Sequence, residues 1–165
     1  MKTLYLFLDF DGVLNNANEA FGRDELGHLN QSNLNIFGLL INELNKLYEL
    51  KIVINSAWKM NIFKGNENWL HRFLSRIPPL LKYEKYFIDT TPTYGFWEEN
   101  YSCKRFEVES WIVQHLNNSD NSEFLILDDS FIPKIGNLKF IKIYQTDCNI
   151  GLIAKDIPKI LEILK

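Results

Sequence analysis

The chain has 165 residues, 46% hydrophobic and 24% charged, enough apolar material for one ordinary globular core and little surplus for a second. Its net charge of -3 excludes a strongly basic surface that holds nucleic acid by phosphate neutralisation alone, while leaving room for a local basic patch. No stretch approaches the ~20 apolar residues of a membrane helix, and Met1 to Gly12 puts carboxylates where a signal peptide needs its apolar core, so one soluble, cytoplasmic domain over residues 1–165 is expected, with no membrane partner.

Leu4 to Phe10 is an apolar run interrupted only by Asp9, the pattern of a strand buried on both faces. From Ser32 to Leu50, apolar Leu34, Phe37, Leu40, Ile41, Leu44, Leu47 and Tyr48 recur at helical spacing, with Ser32 as the expected N-cap. Lys51 to Ser56 follows as a short β-branched strand, so strand, helix and strand form a parallel crossover unit. Glu67 to Leu81 reads as helix until Pro78 and Pro79 disrupt it, Tyr86 to Thr90 as a strand, and Thr91 to Asn100 as a loop. Lys104 to Leu116 has a helical face of Phe106, Val108, Trp111, Ile112 and Leu116; Phe124 to Leu127 is a buried strand, Phe140 to Tyr144 another, and Ile157 to Leu164 a closing amphipathic helix. Alternating strands and helices imply a doubly wound, Rossmann-like α/β fold with a parallel sheet flanked by helices. Cys103 and Cys148 form neither a CxxC pair nor a ligand cluster and are expected to be free thiols.

Ligands of such sheets bind beyond the carboxyl ends of the strands, near the point where strand order reverses. Asp9 and Asp11 end the first strand, Asn55 and Ser56 the second, and Asp128 and Asp129 follow Phe124 to Leu127. Carboxylates gathered there would repel one another unless a hard cation with oxygen ligands sat among them, and magnesium is the natural choice. Aspartates at strand ends also cap helices and make turns, which is the competing reading of either pair taken alone.

Asp9-Phe-Asp11-Gly-Val-Leu14 after a hydrophobic strand resembles the opening motif of haloacid dehalogenase (HAD) superfamily phosphatases. Ser56 is similar to the serine or threonine of the second motif, Lys104 to the lysine of the third, and Asp128-Asp129 to the acidic fourth, in that order over nearly the whole chain. Ser56-Ala-Trp58-Lys59, Lys104-Arg-Phe-Glu-Val with Trp111, and Thr146 to Leu152 also resemble a small bacterial and phage HAD branch, some of whose members accompany RNA-repair enzymes.

This resemblance implies Asp9 as the nucleophile that becomes an aspartyl-phosphate, and Asp11 as the acid and base that protonates the leaving oxygen and then activates water. It implies magnesium held by Asp9, the backbone carbonyl of Asp11 and Asp128, with Asp129 acting through water, and phosphate contacts from Ser56 and Lys104 beside the sharp turn at Gly12. Taken singly, Ser56 reads equally as a helix cap and Lys104 as a surface lysine; Asn55 and Arg105 are the adjacent alternatives.

Trp58 and Trp97 lie near these motifs and are candidates for stacking on a base, against the ordinary reading of tryptophan as a packing residue. His28, His71 and His115 are scattered without ligand spacing and receive no role; Asp147 reads as a turn residue, and Asp24, Glu25, Glu98 and Glu99 as solvated loop charges. HAD enzymes insert cap domains after the first motif or between the second and third, and both intervals are short here: Asn15 to Gln31 makes at most a small flap. A nearly capless phosphatase of an exposed terminal phosphate, with a nucleic-acid end as the specific version, is the leading expectation. A small-metabolite or nucleotide phosphatase, a phosphotransferase, and a regulatory protein that binds metal or phosphate without turnover are the alternatives; the oligomeric state is not written in any motif.

Overall fold

The computed structural model describes residues 1–16, 29–61, 64–65, 67–93, 102–115, 122–130 and 140–165. Five strands, β1 (Lys2–Leu8), β2 (Tyr48–Ile54), β3 (Phe87–Thr90), β4 (Ser122–Asp128) and β5 (Ile141–Gln145), form one sheet in the order β3-β2-β1-β4-β5, and every pairing is parallel. The chain builds outward from β1 through β2 to β3, then crosses to the other side of β1 for β4 and β5. The reversal of strand order therefore falls at β1 and β4, and a doubly wound α/β fold follows.

Alternation along β1 divides the core. Leu4, Leu6 and Leu8 pack on one face with α1 (Gln31–Leu47), whose Leu34, Phe37, Leu40, Ile41 and Leu44 form its buried stripe. Tyr5 and Phe7 face the other way and meet Val108, Trp111 and Ile112 of α4 (Ser102–His115). Each fully buried leucine or phenylalanine contributes about 1.5–3 kcal/mol of transfer free energy, so the central strands are the most firmly held part of the molecule. The short helices α2 (Trp69–Ser75) and α3 (Pro78–Leu81) lead into β3, and α5 (Asp156–Ile163) closes the chain over β5. No helix among the described residues is long and apolar enough to cross a membrane.

Several boundaries depart from the sequence reading. The N-cap of α1 is Asn30, whose side chain accepts from the amides of Ser32 and Asn33; Ser32 is already in the first turn. Tyr48 to Leu50 leave the helical pattern and begin β2, because Tyr48 turns extended at once and pairs with Lys2 of β1. The helical stretch before the prolines stops at Ser75, as their disruption of it implies, and Pro78 then starts α3, because its fixed φ and missing N–H suit a first turn. Most of the Asn15 to Gln31 segment, Thr91 to Asn100 beyond residue 93, Leu116, Trp97, His28, Asp24, Glu25, Glu98, Glu99 and the side chain of Cys103 lie outside the described residues. Cys148 is a free thiol.

Candidate active site

The sheet carries its hydrogen bonding one residue past the ends of its strands. Asp9 donates its amide to Leu127 at 3.0 Å, Asn55 to Leu8 at 2.8 Å, Thr91 to Ile54 at 2.9 Å, and Thr146 to Asp128 at 3.0 Å. These bonds set the backbone of the residues that follow β1, β2, β3 and β5 into one rim around the strand-order reversal.

On that rim Asp9 and Asp128 are buried, and the ammonium of Lys104, from the first turn of α4, bonds to both: to Asp9 Oδ2 and, at 3.0 Å, to Asp128 Oδ2. The remaining oxygens are also occupied. Asp9 Oδ1 accepts from the Phe10 amide at 2.8 Å, and Asp128 Oδ1 accepts from the amide and hydroxyl of Ser130 at 2.9 and 2.6 Å. Burial pushes the Asp9 carboxyl up, to about 7, against the pull of Lys104 and with the Asp128 charge adding to the rise. Burial works against the Lys104 ammonium, but its two carboxylate partners outweigh that and hold its pKa above the ordinary lysine value. Burial and the neighbouring Asp128 raise Asp129 as well.

Asp9, Asp128 and Asp129 each offer an oxygen within 4.8 Å of the others. Such a set of hard donors, two of them buried and one half-buried, fits a divalent cation of the magnesium type. Ser56, almost wholly buried, lies within hydrogen-bonding reach of Asp9, and it accepts a 3.4 Å bond from the Trp58 amide at the start of a 3-10 turn (Ala57–Asn61). The Ser56 hydroxyl thus both faces Asp9 and caps the turn.

The adjacent alternatives point elsewhere. Asn55 Oδ1 accepts from Thr91 Oγ1 at 3.0 Å, and Arg105 pairs along its own helix with Glu109 at 2.9 Å. Trp58 is buried, its ring at 78° to that of Phe10 with centroids 5.3 Å apart, which leaves little of it open to stack on a base. Asp147 sits in a turn and accepts from the Asn149 amide. His71 pairs with Glu84, and His115 stacks on Trp111.

The turn after β1 is built on Gly12, which the sequence marked as a sharp turn, and on residues to which sequence reasoning gave no role there. Gly12 has φ +68, and a Cβ there would lie 2.2 Å from Asp129 Oδ2, so this position needs glycine twice over. Asn15, fully buried, accepts from the Gly12 amide at 2.8 Å and donates to Asp11 Oδ1 at 3.0 Å. Thr146 donates its hydroxyl to the Gly12 carbonyl at 2.8 Å, and Leu152 its amide to Val13 at 2.9 Å. Asn33 donates to the carbonyls of Ile150 and Leu152, closing the bracket from α1. Asn15 and Asn33 carry no sequence signal beyond being polar residues beside apolar ones. Thr146 and Leu152 belong to the Thr146 to Leu152 string, whose meaning becomes plain only when that string is seen packed on the turn.

A five-stranded parallel sheet with an aspartate-rich rim at its strand-order reversal defines a HAD-type fold. The sequence matches the family described as the HAD domain in Swiss Army Knife RNA repair proteins over residues 5–157, and the chain belongs to that family. Neither the curated proteins nor the solved structures include a match to it.

Proposed function

We propose that the chain, as a single HAD-like domain over residues 1–165, is a magnesium-dependent phosphomonoesterase acting through an aspartyl-phosphate on Asp9. The observation that carries this reading is the meeting of Asp9, Asp128 and Lys104 at the strand-order reversal. An Asp9 carboxylate oxygen forms the new bond to phosphorus while the bond from phosphorus to the leaving oxygen breaks. That electron pair stays on the leaving oxygen, and Asp11 gives it a proton. Asp11, now ionised, takes a proton from a water whose oxygen attacks phosphorus; inorganic phosphate leaves and the Asp9 carboxylate is restored. Lys104 and Ser56 hold the phosphoryl oxygens. Magnesium, held by Asp9, Asp128, the Asp11 carbonyl and Asp129 through water, supplies charge neutralisation when bound.

An accessible terminal phosphate suits what lies between the motifs. From Ala57 onward, the 3-10 turn, α2, α3 and β3 all belong to the sheet-bearing body, and only residues 91–101 separate β3 from α4. That interval is too short for a cap domain. A nucleic-acid end is the specific substrate class, supported by the description of the matched family. The test is phosphate release from a chromogenic monoester, nucleotides and 3′- or 5′-phosphorylated oligonucleotides, with and without magnesium, beside Asp9→Asn. Magnesium-dependent release, silent in the variant and fastest with oligonucleotides, is expected; release that survives Asp9→Asn sinks the mechanism, and preference for nucleotides sinks the substrate class.

A further inference from the structure

The Asp11 carboxylate is held from two sides. Its Oδ2 accepts from the indole N–H of Trp58 at 2.9 Å, and its Oδ1 from the Asn15 amide at 3.0 Å. Both donors are anchored independently of Asp11. Trp58 is buried against Phe10 at an interplanar angle of 78°, lies in the first residues of the 3-10 turn, and donates its own amide to Ser56 Oγ. Asn15 is fixed by the Gly12 amide. Asp11 itself is half-buried, so water could satisfy its oxygens, whereas the Trp58 N–H, in a buried ring, has to find a partner.

We propose that Trp58 is a positioning residue for proton transfer by Asp11, with Asn15 as its counterpart. This rests on the phosphatase reading above and deepens it. An indole N–H can only donate, and Asn15 turns its NH2 to Asp11 because its own Oδ1 is taken by Gly12. Neither partner can accept a proton, so whatever proton Asp11 carries is directed to the open side of the carboxyl, where a leaving oxygen or a water would lie. The two bonds also fix the plane of the carboxyl, which a half-buried aspartate on a short side chain would otherwise sample freely; misplacing a reacting group by about 1 Å can cost 10²-fold in rate. The link further ties the segment after β2, which carries Ser56, to the turn after β1, which carries Asp11.

Leaving-group dependence separates this role from packing. An aryl leaving group such as nitrophenolate departs without a proton, while an alkoxide needs one. Trp58→Phe keeps a ring against Phe10 and removes the N–H; an isosteric benzothiophene in place of the indole removes the N–H with the shape intact. With both forms, kcat/KM, which reports only the steps through departure of the leaving group, should fall at least about tenfold for an alkyl phosphate such as a phosphorylated oligonucleotide end, within the 10²–10⁴-fold span of general acid–base catalysis. It should change less than about threefold for nitrophenyl phosphate, and Trp58→Phe should add nothing in an Asp11→Asn background. Equal losses on the two esters in the isosteric form, or unchanged or faster alkyl hydrolysis, overturn the assignment. A wild type inert on both esters overturns the phosphatase reading on which it rests.

Discussion

Lys59, at the end of the segment that carries Ser56, and Glu107, one turn along α4 from Lys104, form an ion pair whose side chains are 5% and 8% exposed. The Lys59 ammonium also donates to Thr91 Oγ1 at 2.8 Å and to the Pro92 carbonyl at 3.1 Å, so its donors are used up without water. Burial lowers the Lys59 pKa, against the pull of Glu107. The pair joins the ends of β2 and β3 to the helix that delivers Lys104. Removing one partner leaves an uncompensated buried charge, so Lys59→Met or Glu107→Gln should each cost about 3–5 kcal/mol, whereas the double variant Lys59→Met with Glu107→Leu should recover most of it. Urea midpoints measure this; single variants as stable as wild type would show that water reaches the pair.

The aspartate cluster predicts a metal effect that needs no turnover. Magnesium at about 100 times its Kd should stabilise the fold by about 2.7 kcal/mol, and each kcal/mol is worth about 2–4 °C in a chain of this size. Asp128→Asn removes the only fully buried member of the cluster and should abolish the thermal shift while leaving the metal-free midpoint close to wild type or above it. A shift of the same size in the variant would place the cation elsewhere.

Asp9 contributes a pH dependence to the metal-free protein that its own variant isolates. Its carboxyl binds a proton more tightly folded than unfolded, so from the ordinary aspartate value of 3.8 up to about 7 the folded state holds more protons. The stability carried by protonated Asp9 is full below that window and is lost as pH rises through it. Lys104, whose pKa is raised, remains charged across the whole window and does not contribute to the slope. Asp9→Asn stays neutral throughout, so with chelator present it should be more stable than wild type at pH 8 and close to it at pH 4. Denaturation curves at the two values test this, and a difference that does not grow with pH would contradict it.

The parts of this molecule that were legible in the sequence are those governed by local pattern. Leu4 to Phe10 and Phe124 to Leu127 read as buried strands from their apolar runs; the first ends at Leu8, and Asp9 and Asp128 stand on the rim where parallel strands end. The start of α1 was misplaced by two residues, because Ser32 and Asn30 are both good capping residues and only backbone geometry tells which side chain turns back. The contacts that organise the rim were out of reach for a different reason. Trp58 and Asp11 are 47 residues apart, Lys59 and Glu107 48, and Thr146 and Gly12 134. No periodicity links such pairs, and each residue alone has an ordinary role as packing, surface charge or turn.

Gly12 offers the sharpest test of how the turn serves the rim. Its φ of +68 costs a residue with a Cβ about 1–2 kcal/mol, and a Cβ would also sit 2.2–2.4 Å from the carboxyl and Cβ of Asp129. Gly12→Ala should therefore lose more stability than the backbone term alone, and should lose most phosphate release, because Asp129 or the Asp11 turn must move. Adding Asp129→Gly removes the obstructing side chain but not the strained φ. The double variant should regain the excess over the backbone term, measured as urea midpoint, and stay below wild type. If Gly12→Ala is as stable as wild type, the turn can relax without disturbing Asp129, and close packing against Asp129 is not the reason for glycine at this position.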